Sequence, residues 1–455
     1  MSLVKIISAA EFMYDARTFL EGKCGAEDQV DVNITVNEII AAVRAEGDEA
    51  VWRYTRLYER EVPEAFEVSK DTAKKAWESL KTSDPDLASS LSFAADNIRK
   101  FGEFQKKQLV NFEAEIVPGI ISGQRVIPVE RAAVYVPGGR FPLISSALMG
   151  LVPADVAGVR EKILVSPPGP DGIPDSRILA AGYLAGADRF FALGGAQAIA
   201  ALALGTESIP RVDLITGAGN KYVSAAKRIL YGEVGIDLVA GPTDLLIITD
   251  MAFMNIKDTD LVLEAADVAA EAADIIASDM LAQAEHDPDA RSRVLVPDRG
   301  VGVLVERALE LRLPRLSTKE TAAASLEAGG LIIVYDSIEE ALEIANRIAP
   351  EHLELHTVST AEWVRGLKNY GSLFIGSCSA EILGDYSAGI NHTLPTSGSA
   401  RFTGGLSVRN YLKTVTTLHC VRSEGYVHAL TAAKAIALAE GLKGHAESAA
   451  IRLKN

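Results

Sequence analysis

The chain has 455 residues, 48% hydrophobic and 23% charged, with a formal net charge of -16. That charge excludes nucleic acid and anionic membrane as partners, because both require a basic surface that releases counterions or meets lipid headgroups. The length exceeds the roughly 250–300 residues at which single cores stop growing, so two or three domains are expected. Three scattered cysteines (Cys24, Cys378, Cys420) give neither a disulfide framework nor a thiolate zinc site and fit a reducing, cytoplasmic setting.

In chain order, MSLVKIISAAEFMYDARTF has early acidic residues and no basic segment before an apolar run, unlike a signal or transit peptide. The longest apolar segments fall short of the roughly 20 residues that span a bilayer. Residues 34–110 show apolar positions at three-to-four spacing, as in VNEIIAAVRAEGDEAVWRYTRLYE, and predict a helical scaffold. From Ala132, short β-branched runs alternate with Gly-rich turns and Ala-rich helices: AAVYVPGG, KILVSPPG, RFFALGG, VDLITGAGN, IDLVAGPTDLLIITD. This predicts a doubly wound parallel sheet with ligands beyond the carboxyl ends of its strands. A second α/β pattern follows in RVLVPD, LIIVYDS and GSLFIG, separated from the first by a long Ala/Asp-rich helix over residues 251–280. Beyond about residue 405 the chain reads as helical again, too small for its own core, and is expected to pack on a neighbouring subunit.

Four Gly-rich turns end predicted strands: Pro137-Gly138-Gly139, Gly194-Gly195, Gly217-Ala218-Gly219-Asn220 and Ala240-Gly241-Pro242. None completes a G-x-G-x-x-G fingerprint; each is either strand punctuation or a nucleotide contact, and their recurrence in one domain favours neither. Among the seven histidines, His286 stands three residues after Gln283, a helical spacing that can chelate or can simply be a solvated face. Glu351 and His352 in APEHLEL are adjacent groups able to move protons near neutral pH, or a helix cap beside a half-buried imidazole. Asp385 and His392 flank GDYSAGINHTLPTSGSARFTGG, a loop too long to be a plain connection. His445 alone reads as a surface residue, and His356, His419 and His428 as structural.

The segments YVPGG, GGAQAIAALALGT, VGIDLVAGPTD, LAQAEHDP, APEHLEL, GDYSAGINHTLPTSGSARF and EGLKGHA occur in the order found in histidinol dehydrogenases, and the chain resembles that family from about residue 35 to its end. The resemblance implies an α/β fold of two related, incomplete Rossmann-like domains with parallel sheets, plus small helical N- and C-terminal segments, in a domain-exchanged homodimer. The implied division is an N-terminal segment 1–30; a first domain of 31–134 plus 245–405 holding the zinc and catalytic residues; an NAD-contacting domain 135–244; and an exchanged tail 406–455. Zinc would be held by Gln283, His286 and Asp385, with His445 from the other subunit, an N/O set suited to an open catalytic site. Tyr135, Gln197 and Asn220 would contact NAD, and His352 and Glu351 would act as bases. Thr243, Glu440 and Arg140 would line the substrate pocket together with Gln283, His286, His352, Asp385 and His445. The implied reaction is oxidation of a primary alcohol through an aldehyde to a carboxylate, with L-histidinol to L-histidine as the leading substrate.

The sequence departs from the family pattern where substrate is chosen. Thr243-Asp244 replaces the usual Ser-Glu, and Arg140 follows the double glycine, where a guanidinium can pair with a sulfonate or carboxylate. RFTGGLSVRNYLKTVT also resembles the relatives that oxidise sulfopropanediol to sulfolactate, which makes that alcohol the alternative substrate. A zinc hydrolase and an inactive paralogue are the rivals from other classes.

Overall fold

The computed structural model describes residues 3–20, 26–138, 142–250 and 265–454. In chain order the strands are β1 (Lys5–Ser8), β2 (Glu67–Val68), β3 (Phe112–Val117), β4 (Ile120–Pro128), β5 (Arg131–Tyr135), β6 (Glu161–Ser166), β7 (Arg189–Ala192) and β8 (Leu214–Thr216). They continue as β9 (Gly235–Ile236), β10 (Asp244–Thr249), β11 (Arg291–Val296), β12 (Leu331–Val334), β13 (His352–His356), β14 (Ser372–Ile375) and β15 (Leu412–Cys420).

Two six-stranded sheets carry the fold, ordered β1-β12-β11-β10-β13-β14 and β2-β7-β6-β5-β8-β9. Apart from their outermost strands the orders are the same: each begins in the middle, steps outward twice, then crosses to the other side. The two halves read from the sequence are thus related in topology. Runs such as LLIIT, VLV and LIIV are buried on both faces, as parallel strands covered by helices must be. The exception to parallel pairing in these sheets is β2, antiparallel to β7 at the edge.

Three features differ from the sequence reading. A third sheet, antiparallel β15-β4-β3, was not expected; β15 lies in the tail read as helical, where KTVTTLH alternates in a way the nearby Ala-rich helices obscured. The N-terminal segment is not wholly helical, since β1 adds a parallel strand beside β12. Finally, Val36, Ile39, Val43 and Val51 pack against the Ile163 and Phe191 side of the second sheet, and Leu91, Ala95 and Ile98 against its opposite face. The helices within residues 31–107 therefore pack on the second sheet, whereas the sequence grouped residues 31–134 with 245–405. Of the helix expected over residues 251–280, residues 251–264 lie outside the described residues; a helix is described over Ala265–Ala284.

One device ties the long loop after Asp385 to the second half. Pro153 sits inside helix Ile144–Ala157, so the Met149 carbonyl loses its helical donor. Asn391 Nδ2 donates to that carbonyl at 2.7 Å. Next to it, the buried Tyr411 hydroxyl donates to the Gly150 carbonyl at 2.8 Å and lies 3.0 Å from Thr216 Oγ1. Tyr411→Phe removes both of these buried hydrogen bonds, and is expected to lower stability by about 1–3 kcal/mol, seen as an unfolding midpoint moved to lower urea with unchanged slope.

Candidate active site

The sequence HLELH of β13 alternates strictly, so His352, Glu354 and His356 share one face and Leu353 and Leu355 the other. The leucines join Leu246 and Ile248 in an apolar core. The polar face lies beside Leu245 and Ile247 in register, the side on which Ile276, Met280 and Ala284 of helix Ala265–Ala284 pack. Because β10 and β11 are parallel, the helix between them must return to the amino edge of the sheet. Its last turn brings Gln283 there, and helix Glu381–Tyr386 brings Glu381 and Asp385. The site thus sits at the amino edge of the first sheet, not beyond the carboxyl ends as the fold rule predicted.

Around His352 the groups converge closely. Its Nδ1 is 3.5 Å from Glu381 Oε1 and 3.9 Å from Glu351 Oε2, and its Nε2 is 3.5 Å from Asp385 Oδ1. Among the described residues neither ring nitrogen has a partner within hydrogen-bond geometry, although the ring is buried. The Thr243 hydroxyl donates to Glu351 Oε2 at 2.5 Å. The fully buried Gln283 amide faces Glu381 Oε1 at 2.5 Å through its nitrogen and the Asp244 N–H at 3.1 Å through its oxygen. Asp244 in turn accepts the Glu351 N–H at 2.6 Å, with Arg293 3.6 Å away.

The electrostatics follow from this crowding. Burial raises the Glu351 carboxyl to about 7 despite opposition from His352 and Thr243. Burial pulls His352 down, but the charges of Glu381, Glu351 and Asp385 outweigh it and hold the imidazole well above its usual range. Glu381 is pushed up, by burial first and then by its carboxylate neighbours. For Asp385 burial pushes upward, yet His352, His392 and His286 leave it below the ordinary range. A second buried group lies behind: Asp279, Glu354 and His356 can bring one ligand atom each within 4.8 Å of one another. Glu354 Oε1 accepts the Glu381 N–H at 2.8 Å, and burial together with Glu354 raises Asp279 to about 8.

The second sheet keeps to the carboxyl-edge rule. A groove of about 1330 Å³ opens beyond the ends of β5 to β8, and Tyr135, Gln197 and Asn220 all line it. Gly217 has φ +106, and a Cβ there would stand 2.1 Å from the Tyr135 carbonyl, so the close approach of these two strand ends requires glycine. The buried Lys227–Asp237 pair braces the same turn, Lys227 donating to the Gly217 carbonyl at 2.8 Å and Asp237 accepting the Gly217 N–H at 2.7 Å. The Gly195 N–H donates to the Tyr135 hydroxyl at 3.2 Å. Asn220 caps helix Lys221–Leu230 with its amide oxygen.

Gln283, Asp385, Glu351, His352 and Thr243 are therefore brought together. His286 is different: the helix ends at Ala284, so His286 lies in the following turn and is exposed, close enough only for its charge to act on Asp385. Glu440 and His445 are exposed on the C-terminal helical hairpin and do not join the cluster in one chain. Arg140 lies outside the described residues. Sequence reasoning missed Glu381, Glu354 and Asp279. Glu381 and Asp385 are four apart in AEILGDY, an acidic pair on one helical face that could have been noticed. His356, read as merely structural, lies 3.4 Å from Glu354 Oε2.

A family model for histidinol dehydrogenase matches residues 23–453. The histidinol dehydrogenase of Thermus thermophilus is 45% identical over 418 residues, 92% of this chain and 93% of the relative. That of Methylococcus capsulatus is 40% identical over 431 residues, 94% and 93% of the two chains. The crystal structure of histidinol dehydrogenase from Elizabethkingia anophelis aligns with a TM-score of 0.86 at 31% identity, covering 100% of this chain and 99% of that one.

Proposed function

This chain belongs to the histidinol dehydrogenase family, and from that premise we propose that it oxidises L-histidinol to L-histidine in two successive NAD-dependent steps at a zinc site. The observation that carries the reading is the buried Glu351–His352 pair, held beside Gln283 and Asp385. The relatives described above are named for histidinol, which gives the sulfopropanediol alternative no support.

The residues fit a cation. An imidazole without hydrogen bonds and several carboxylates are buried together, an arrangement that is costly unless positive charge compensates it. Gln283 also lies in the C-terminal turn of its helix, where the dipole favours cations. Gln283, His286 and Asp385 would hold zinc, with His445 from a second subunit. A zinc ion held there would supply a Lewis acid that lowers the cost of removing the proton from the substrate hydroxyl. With a cation in place to offset Glu381, Glu351 and Asp385, which otherwise hold its proton, His352 would be the group that takes the hydroxyl proton, and NAD would supply the acceptor for the hydride of the carbinol carbon. Glu351 would then take a proton from the water that adds to the aldehyde, and the hydrate carbon would give up the second hydride to a second NAD, leaving the carboxylate. Thr243 keeps Glu351 turned toward the reacting centre.

For NAD, the fit lies in Gln197, whose buried Nε2 has no hydrogen-bond partner among the described residues, and in Gly195, where a Cβ would meet the Gln197 side chain at 2.6 Å. A homodimer is supported by the apolar residues Ile436, Leu438, Leu442 and Ile451, which the C-terminal hairpin leaves exposed. Among the described residues no helix is long and apolar enough to cross a membrane, and the exposed free thiols of Cys378 and Cys420 suit a reducing cytoplasm. An inactive paralogue would be expected to lose a ligand or a base, and Gln283, His286, Asp385, His445, Glu351 and His352 are all present. A hydrolase has no use for the groove around Tyr135.

Absorbance at 340 nm tests the proposal across a panel of alcohols. Two NADH per L-histidinol are expected, with sulfopropanediol inert. One NADH per substrate would mean that oxidation stops at the aldehyde, and none with any alcohol would return the hydrolase.

A further inference from the structure

We propose that Glu59 selects the unphosphorylated dinucleotide: its carboxylate accepts hydrogen bonds from the ribose hydroxyls of NAD and repels the additional phosphate of NADP. The inference rests on the reading that NAD occupies the groove around Tyr135 and Gln197, and adds the group that chooses between the two nicotinamide cofactors.

Glu59 is the C-cap of helix Asp48–Tyr58, its N–H donating to the Thr55 carbonyl. The backbone leaves the helix in an extended conformation there, and the side chain reaches across the groove to the Gly194-Gly195 turn. A Cβ on Gly194 would stand 2.2 Å from Glu59 Oε1, so glycine at that position leaves the carboxylate its place. Glu59 lines the groove together with Tyr135, Gly195 and Gln197.

Nothing about the helix itself accounts for this carboxylate. The negative end of a helix dipole favours a cation there, and Glu59 is the reverse. It is partly buried, and burial alone acts on it, raising the carboxyl above its ordinary range. Among the described residues no cation or donor compensates that cost, and the groove leaves the carboxylate open to a donor on a bound ligand.

The donor has recognisable chemistry. An ionised carboxylate offers two acceptor oxygens and no donor, which complements the two adjacent hydroxyls of a ribose, as acidic residues do in other dinucleotide sites. A phosphate in place of one hydroxyl removes a donor and adds like charge beside a half-buried anion. Arg60 also lines the groove but is exposed, with Glu61 next to it; its field is screened by water more strongly than that of Glu59.

Isothermal titration of the full chain with NAD and with NADP tests this directly, for the wild type and for Glu59→Gln and Glu59→Ala. The wild type is expected to bind NAD far more tightly than NADP. Glu59→Gln, which keeps shape and removes charge, should weaken NAD about tenfold and narrow the NAD-to-NADP ratio by at least about tenfold; Glu59→Ala should narrow it similarly. Tight NAD binding by the wild type with an unchanged ratio in both variants overturns the role of Glu59 alone. Failure of the wild type to bind either dinucleotide overturns the reading of the groove, and this inference with it.

Discussion

Glu351→Gln is expected to make one NADH per histidinol in a fast first phase and then nearly stop, with steady-state turnover lowered by about 10²–10⁴-fold, the usual worth of a positioned general base. The glutamine keeps the shape of the side chain, so the Thr243 hydroxyl retains an acceptor. It cannot take a proton from water. On the proposed roles, the first oxidation needs a proton acceptor for the alcohol, the part assigned to His352 once a cation offsets the carboxylates around it, and so it survives; the second needs water to add to the aldehyde, and so it fails. Burial places the Glu351 carboxyl at about 7, and only its charged form accepts a proton. In the wild type, the rate of the aldehyde step should therefore fall as pH drops through about 7, where Glu351 becomes protonated. That acid limb should be missing from the residual activity of the variant. If Glu351→Gln still released two NADH per substrate with the same acid limb, another group would be the base.

The halves of the fold were legible because buried parallel strands advertise themselves. LLIIT, VLV and LIIV are continuous apolar runs bounded by turn residues, and the related strand orders follow from repeated strand–helix units. Strand β15 was not legible: Thr414, Thr416 and Leu418 alternate on a mostly exposed ribbon, and the partner that makes it a strand is almost 300 residues away in sequence. Register with a distant strand leaves no local mark. The same applies to residues 31–134, whose amphipathic helices declare that they pack but not on which sheet.

The site shows a similar division. Glu351 and His352 were visible as neighbours of unlike chemistry, and Gln283 and Asp385 as members of ordered motifs. Glu354 was hidden because a glutamate between two leucines in a strand reads as a solvent-facing position; here its face is closed by the helix bearing Asp279 and Gln283 and by the one bearing Glu381. Its burial comes from helix packing on that face, which the period-two pattern cannot reveal. The amino-edge location of the site was also unreadable, since it depends on where helix Ala265–Ala284 ends relative to β11. A helix three residues longer would carry His286 in regular helical geometry; ending at Ala284, it releases His286 into a turn at the surface.

That exposed position, with His445 exposed on a separate hairpin, leads to the second large effect. His286→Ala and His445→Ala should each yield a nearly inactive enzyme with zinc affinity reduced by more than the about 10–100-fold that losing an outer-sphere partner costs, measured as zinc per chain after dialysis. Mixing the two inactive proteins under conditions that exchange subunits should restore activity if the tail reaches across. In a mixed dimer of that kind, the site built on the His445→Ala chain keeps its own His286 and receives an intact His445 from the other subunit, while the remaining site carries both lesions. Random exchange makes about half of the dimers mixed, so about one quarter of the sites regain a full ligand set. Recovered activity and recovered zinc should both approach that fraction. No recovery would place His445 in the site of its own chain, which would require the hairpin to swing far from its position against Pro118. Full zinc occupancy in His445→Ala would remove that histidine from the ligand set altogether.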